Sequence, residues 1–366
     1  EARSIPGTGG DILRGLVNFP GVAPTGSFGS DLYIRGGDRF ALLYTYDGAR
    51  IGNPFHLLGF YSVFPSASLE SVNFYPGAFP ARFGNSQGAV IELNSKTSYD
   101  KGQIKGELDE NLAVAGGYLS LPLGPHFQLS LGGRRTYYEF YLGLVQKLDT
   151  AFLGEVGKLL SDFYIVPFFW DANARLDWQP TPQDRVSAAF LSSCDSLSLN
   201  LKRFGSPDQA TNRLSQQFTY DELWDAQGLT WAHEGAHLRN QLTLYRNYDT
   251  NGQPYEGLSY FNARPVNVSL VDELELKFKP GLVLGAGGEY VFQEYPFNVP
   301  DFITGAYRFR DPALPLSTRL SNFQDALSNA GQVAYLPQRH VAALWGELTV
   351  GLAPFRLIPS LRGTWQ

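Results

Sequence analysis

From about residue 102 to the last residue, apolar and polar positions alternate with a period of two. Between 272 and 279, Leu274, Leu276 and Phe278 fall on one face, and Glu273, Glu275 and Lys277 fall on the other. Between 171 and 178, Ala172, Ala174, Leu176 and Trp178 oppose Asp171, Asn173, Arg175 and Asp177. Phe127, Leu129 and Leu131 oppose Gln128, Ser130 and Arg134 in the same way. A period of two is the signature of a strand whose faces meet different surroundings. Lipid outside and a wet lumen inside would produce it. So would the core and solvent of a soluble sandwich.

Connection lengths separate these readings. Candidate strands lie near 102–110, 112–121, 126–139, 167–179, 184–194, 225–233, 237–247, 268–279, 282–292, 340–352 and 355–366. Tight turns fall at 179–183, 234–236, 279–281 and 353–354, and long connections at about 141–166, 195–224, 248–267 and 293–339. Short turns on one side and long loops on the other fit an outer-membrane barrel. Tyr164, Phe168, Phe169, Trp170, Trp178, Trp224, Trp231 and Tyr245 fall near strand ends, as an aromatic girdle would; the soluble alternative makes them core. Short helices are expected within 150–161 and 319–329.

The first hundred residues have a different texture. Thr8 or Asp11 can cap a short helix carrying Ile12, Leu13 and Leu16, and Pro20-Gly21 stops it. Short strands follow at 32–34 and 41–46, the second ending in Asp47-Gly48, a strong tight-turn signal. An aromatic loop holds Phe55, His56, Phe60, Tyr61 and Phe64. Residues 69–96 then read as strand, glycine-rich turn, strand.

These residues carry a resemblance. DILRGLVNFPGV (11–22), LYIRGG (32–37), YTYDGARIGNPFHLLGFYS (44–62) and SLESVNFYPGAFPARFGNSQGAVIELNSK (68–96) are similar, in order, to the plug domain of TonB-dependent outer-membrane receptors. Thr45 departs from the family, which usually has an apolar residue there. The resemblance implies a mainly β protein: a small α+β plug at 1–98, then a transmembrane antiparallel β-barrel from 99 to 366. The family's barrel has about 22 strands. The eleven read here are odd in number, whereas single-chain bacterial barrels are even. The last strand also stops without a turn, so the sequence is expected to be the leading half of the barrel. More of the same chain, or a second chain, would complete it. No TonB box is visible.

Composition narrows the partners. Charged residues make up 17% of the chain and the net charge is −6, without a basic run, which argues against a nucleic-acid surface. A single cysteine, Cys194, excludes a disulfide framework and a Cys-rich metal site. No stretch is long and apolar enough for a membrane-spanning helix.

Two motifs suggest chemistry. HEGAH (233–237) has the zinc spacing, but that spacing needs a helix, and its flanks read as strands entering and leaving a turn. GNSQG (84–88) matches the nucleophile elbow, but a β-rich run follows it where the elbow needs a helix. Neither a catalytic residue, nor a metal ligand, nor a cofactor is assigned.

The resemblance implies ion pairs that latch plug to barrel. Arg35 and Arg82 are the candidate cations. Glu273 and Glu275 are candidate partners by strand phase, with Glu289 and Glu347 behind them. A solvated surface arginine is the plain alternative, since a buried guanidinium needs a carboxylate. Phe55, His56, Phe60 and Tyr61, with Tyr307 and Phe309 from the 293–339 connection, could face an external ligand, although packing of the plug competes for the first four.

The function implied is uptake of a bulky, scarce solute (siderophore-, cobalamin-, glycan- or peptide-like) across the outer membrane. Its partners would be outer-membrane lipid, a TonB-type energy-coupling complex and an extracellular solute. The alternative is a plugged barrel that serves as a receptor or scaffold in a larger assembly, with a surface-exposed partner protein.

Overall fold

A computed structural model describes residues 8, 10–24, 32–37, 41–56, 59, 61–84, 86, 88–97, 103–111, 113–137, 140, 164–200, 217–252, 262–263, 266–294, 297–299, 333–335, 338–352 and 355–366. The expected helices at 150–161 and 319–329 lie outside these residues, as do Phe60, Tyr307 and Phe309.

The N-terminal unit is a mixed four-stranded sheet with a short two-stranded ribbon beside it. The ribbon pairs β1 (Val22–Pro24) with β2 (Leu32–Ile34). The sheet contains β3 (Leu43–Tyr46), β4 (Ala49–Ile51), β5 (Leu69–Tyr75) and β6 (Val90–Ser95), in the order β4-β3-β6-β5. Strands β3 and β6 are parallel, and the other pairs are antiparallel. Asp47 and Gly48 both take positive φ between β3 and β4, as a two-residue hairpin turn requires. The expected N-terminal helix forms as a single 3-10 stretch, Leu13–Asn18, without a side-chain cap. Asp11 serves as a tertiary anchor instead: it accepts from the Leu13 amide at 2.8 Å and from the Ser62 amide at 2.5 Å. Leu13, Leu16, Leu32, Ile34, Val63, Phe64 and Leu93 close the core above this sheet.

The larger sheet begins with β7 (Lys105–Glu110), β8 (Val114–Pro122), β9 (Phe127–Thr136), β10 (Tyr164–Trp178), β11 (Asp184–Asn200), β12 (Gln217–Glu234) and β13 (Leu238–Gly252). It continues past the short β14 (Asn262–Ala263) with β15 (Val266–Lys279) and β16 (Leu282–Glu294), then the short β17 (Phe297–Val299) and β18 (Val333–Tyr335). It ends with β19 (Gln338–Leu352) and two segments, β20 (Phe355–Leu357) and β21 (Ser360–Trp365), that both pair with β19. Every pairing is antiparallel and joins sequence neighbours, apart from the three short strands and β21, which returns to β19 past β20. This is the meander that the alternating pattern calls for. Strands β10 to β13 run to 15 or more residues, longer than the 9–11 needed to cross a bilayer at a tilt.

The two faces of the sheet differ as the sequence reading expects. Phe127, Leu176, Leu229, Leu244, Leu270, Phe278 and Leu344 are exposed on one face. Gln128, Ser130, Arg134, Asp171, Asn173, Arg175, Ser187, Thr243 and Glu289 are buried on the other. Apolar outside and polar inside is the inverse of a soluble sandwich and is the membrane-barrel pattern. The girdle is corrected in part. Trp178 and Trp231 face outward, and Trp178 stacks on Phe127 near the short turns. Phe169, Trp224 and Tyr245 are instead buried against the N-terminal unit, because their strand phase points inward.

Candidate functional site

The functional geometry lies in the seam between the N-terminal unit and the inner face of the large sheet. Contacts run along almost every wall strand. Lys96 reaches Glu107 on β7 at 3.1 Å and lies over the Tyr118 ring on β8. Asn53 donates to Glu222 on β12 at 2.8 Å, and Asn247 on β13 donates to the Arg50 carbonyl. Arg362 on β21 donates to the Arg82 carbonyl at 2.9 Å. Laid flat, eleven strands at ~4.8 Å spacing would span about 50 Å, three times the width of a four-stranded sheet. One small unit can touch both ends only if the wall curves around it. Close approach is also written into Gly132 on β9, where a Cβ would collide with Asn173 and crowd Ser68 of the unit.

The seam has two kinds of corner. The first is centred on His56. Its Nδ1 lies 2.9 Å from Asp195 and its Nε2 lies 3.0 Å from Asp171. Arg134 donates to the same Asp171 oxygen at 2.7 Å and also to the Ser62 carbonyl. The imidazole stacks on Phe169 at 3.7 Å. All four polar residues are buried, His56 to 2% exposure. Burial disfavours the imidazolium, but Asp171 and Asp195 outweigh burial and hold the His56 pKa above its usual value. Two carboxylates on one ring favour the form in which both nitrogens donate.

The second corner is a chain of arginines and glutamates. Arg50 donates to both Glu289 oxygens at 3.0 Å and to the Gly84 carbonyl at 3.0 Å. Arg362 approaches the same carboxylate at 2.5 Å. Burial works against the Arg50 charge, but the Tyr245 phenol and Glu289 beside it overcome that and raise its pKa. Arg82 pairs with Glu92 at 3.0 Å within the unit and with Glu273 on the wall at 3.4 Å. A third pair, Asp47 with Arg175 at 3.1 Å, ties the hairpin turn to β10. This side of the seam is wet. A cavity of about 540 Å³ is lined by Arg50, Arg82, Glu92, Arg175, Glu273 and Glu289, among others.

The ion pairs expected across the seam are therefore redistributed. Arg82 and Glu273 come together. Arg35 does not join them: it sits exposed with positive φ, its guanidinium against Gly77, and pairs with no carboxylate among the described residues. The tight bend after β2 leaves its side chain against Gly21 and Gly77 of the N-terminal unit. Glu275 lies 3.8 Å from Lys277 of its own strand and meets no plug cation among the described residues. The sequence reading passes over Arg50 and His56 as latch residues. Phe55, His56 and Tyr61 are buried in the seam and do not line an outward cleft. The wall's carboxylates and Phe169 draw this loop inward.

Neither chemical motif has its required context. HEGAH forms the β12–β13 hairpin, where His233 bonds Asp184 at 2.9 Å and His237 approaches the Lys277 carbonyl at 3.3 Å. Strand geometry cannot place two imidazoles on one helix face. Ser86 donates to the Ala89 carbonyl at 2.9 Å, and β6 follows directly, with no helix.

Comparison with known proteins agrees with this architecture. A family model of the TonB-dependent receptor plug domain matches residues 6–90. No curated protein sequence matches. Among solved structures, a mutant of the ferric enterobactin receptor PfeA from Pseudomonas aeruginosa, in complex with enterobactin, is 16% identical with a TM-score of 0.65. The alignment covers 98% of this chain and 56% of that one. The outer membrane transporter YddB from Escherichia coli is 10% identical, TM-score 0.64, over 100% of this chain and 55% of that one. The FrpB iron transporter from Neisseria meningitidis is 13% identical, TM-score 0.63, over 97% and 56%. The chain thus spans about half the length of the structures it matches. At these identities the likeness establishes the fold alone. Residues 6–90 match the TonB-dependent receptor plug domain, and the chain as a whole shares the fold of the N-terminal part of a plugged outer-membrane β-barrel.

Proposed function

We propose that the protein takes up a bulky, scarce solute across the outer membrane, with an inner-membrane TonB-type complex supplying the energy that moves the plug. One observation carries this reading: the plug is held inside the wall by ion pairs and charged hydrogen bonds that reach it from strands all along the sheet, from the Glu107 carboxylate on β7 to the Arg362 guanidinium, which donates to the Arg82 carbonyl, on β21. A permanently closed scaffold needs only an apolar seam. Ion pairs lined by a polar cavity can be exchanged for water when the plug is pulled, at modest cost. Within this reading Arg50 and Arg82 are the latch cations of the plug, and Glu289 and Glu273 are their wall partners. The plug is taken as residues 1–98 and the barrel as starting at 99. A siderophore-type cargo is the leading class, because PfeA and FrpB are described as a ferric enterobactin receptor and an iron transporter.

A second reading, a plugged receptor or scaffold without energised transport, draws on the His56 corner, whose paired groups are sealed from water. The test is accumulation by cells producing the full-length protein, with and without the energising complex, supplied with ferric siderophores, cobalamin or oligosaccharides. Accumulation that requires both components supports transport. Saturable surface binding that never becomes accumulation supports the receptor reading.

A further inference from the structure

Two cavities lie end to end along the seam. The first, about 540 Å³, opens among the short turns, where Gln183, Asp184 and Glu234 line it. Glu234 there is largely exposed. The second, about 350 Å³, lies farther along β12, β13, β15 and β16, lined by Asn53, Trp224, Asn247, Ser269 and Gln293. Three residues line both: Leu43 and Arg50 of the plug, and Tyr245 of the wall. Those three therefore form the partition between the cavities.

The second cavity has a largely apolar lining, but the polar atoms that reach it call for water. Trp224 Nε1 and Asn247 Oδ1 are buried and have no hydrogen-bond partner among the described residues. Buried polar atoms of this kind are ordinarily satisfied by water. The partition itself is one side chain thick on the wall side. Tyr245 is fully buried, and its ring projects inward from β13 toward Arg50, which is fixed by Glu289.

We propose that the two cavities are halves of one hydrated passage along β12–β16, closed at a single layer by the Tyr245 ring against Arg50 and Leu43. Small hydrophilic solutes and ions are the class it would admit. The passage rests on the plugged-barrel reading above. It goes beyond that reading in assigning one wall side chain, rather than displacement of the whole plug, as the barrier on this flank.

The experiment is steady-state current through the full-length protein in planar lipid bilayers under potassium chloride, paired with retention in liposomes after an alkaline wash. Wild type and Tyr245→Phe, which keeps the ring, are expected to hold the baseline. Tyr245→Ala is expected to gain a steady ohmic current. Leu191→Ala removes an equally buried plug-facing side chain that lines neither cavity, and is expected to stay closed. A lipid-retained Tyr245→Ala that holds the baseline overturns the passage and leaves the plugged barrel standing. Equal current from Leu191→Ala also overturns it, because any loosening of the plug would then leak. Wild-type protein that washes out of the lipid overturns the barrel reading, and the passage with it.

Discussion

The two corners of the seam use the same chemistry in opposite surroundings. At His56 the paired side chains are sealed: His56 shows 1% side-chain exposure and Asp171 shows 0%. At Arg82 the pair is wet, with 30% exposure on Arg82 and 32% on Glu273. Arg50 with Glu289 lies between, at 23% and 5%. A dry pair is a poor source of net stability, because desolvation offsets its attraction, yet breaking it strands a buried charge. A wet pair contributes little and releases at little cost. The difference teaches that the wall does not hold the plug evenly. The β9–β11 flank meets it through a dry pair, and the β15–β16 flank through wetter ones.

The largest expected effect breaks the dry corner. His56→Ala leaves the buried Asp171 and Asp195 carboxylates without the imidazolium between them, and should weaken plug seating by ~3–5 kcal/mol. The measurement is the denaturant midpoint for exposure of the plug to protease in detergent-held full-length protein. Arg50→Ala removes a charge-assisted bidentate bond from a partly wet site and should cost ~1.5–3 kcal/mol in the same assay. Arg362 remains to balance Glu289, which keeps the loss below that at His56.

A smaller effect follows from pH. The His56 pKa is raised in the folded protein, because the paired Asp171 and Asp195 outweigh burial. The imidazolium therefore stabilises the seated plug fully below the unfolded histidine pKa of about 6.5. That contribution is lost as pH climbs through the higher folded value. Plug release should become easier on moving from pH 6 to alkaline buffer, and His56→Gln should flatten the profile. A wild-type profile that is flat, or that rises with pH, would remove His56 from its role. The smallest effect is at Arg82→Ala, expected at ~0–1 kcal/mol and shrinking in high salt.

The strands were legible because a membrane wall imposes period two on every segment and short turns on one side. The observed limits of β15 and β16 fall within two residues of those read from the alternation at 268–279 and 282–292. Phase also placed Glu273 and Glu289 on the inner face. What phase cannot supply is the partner across the seam. Arg50 and Glu289 are 239 residues apart, and nothing local marks Arg50 over Arg35. Here a bend of backbone decided: positive φ at Arg35 leaves it against Gly21 and Gly77 of the N-terminal unit, while Arg50 lies on β4, the edge strand that faces β12 and β13. His56 carried a usable signal. Asp171 and Asp195 sit on the inward phase of long strands, where a carboxylate needs a cation, and the plug loop between 53 and 62 offers one group that can become one.

Unequal grip is tested most directly by pulling the full-length protein from its N-terminus out of a lipid bilayer with an atomic force microscope. The account predicts that the strongest plug barrier sits at the contour length of residue 56, that His56→Ala abolishes it, and that Arg82→Ala leaves it in place. A strongest barrier that survives His56→Ala but disappears with Arg82→Ala would contradict the account.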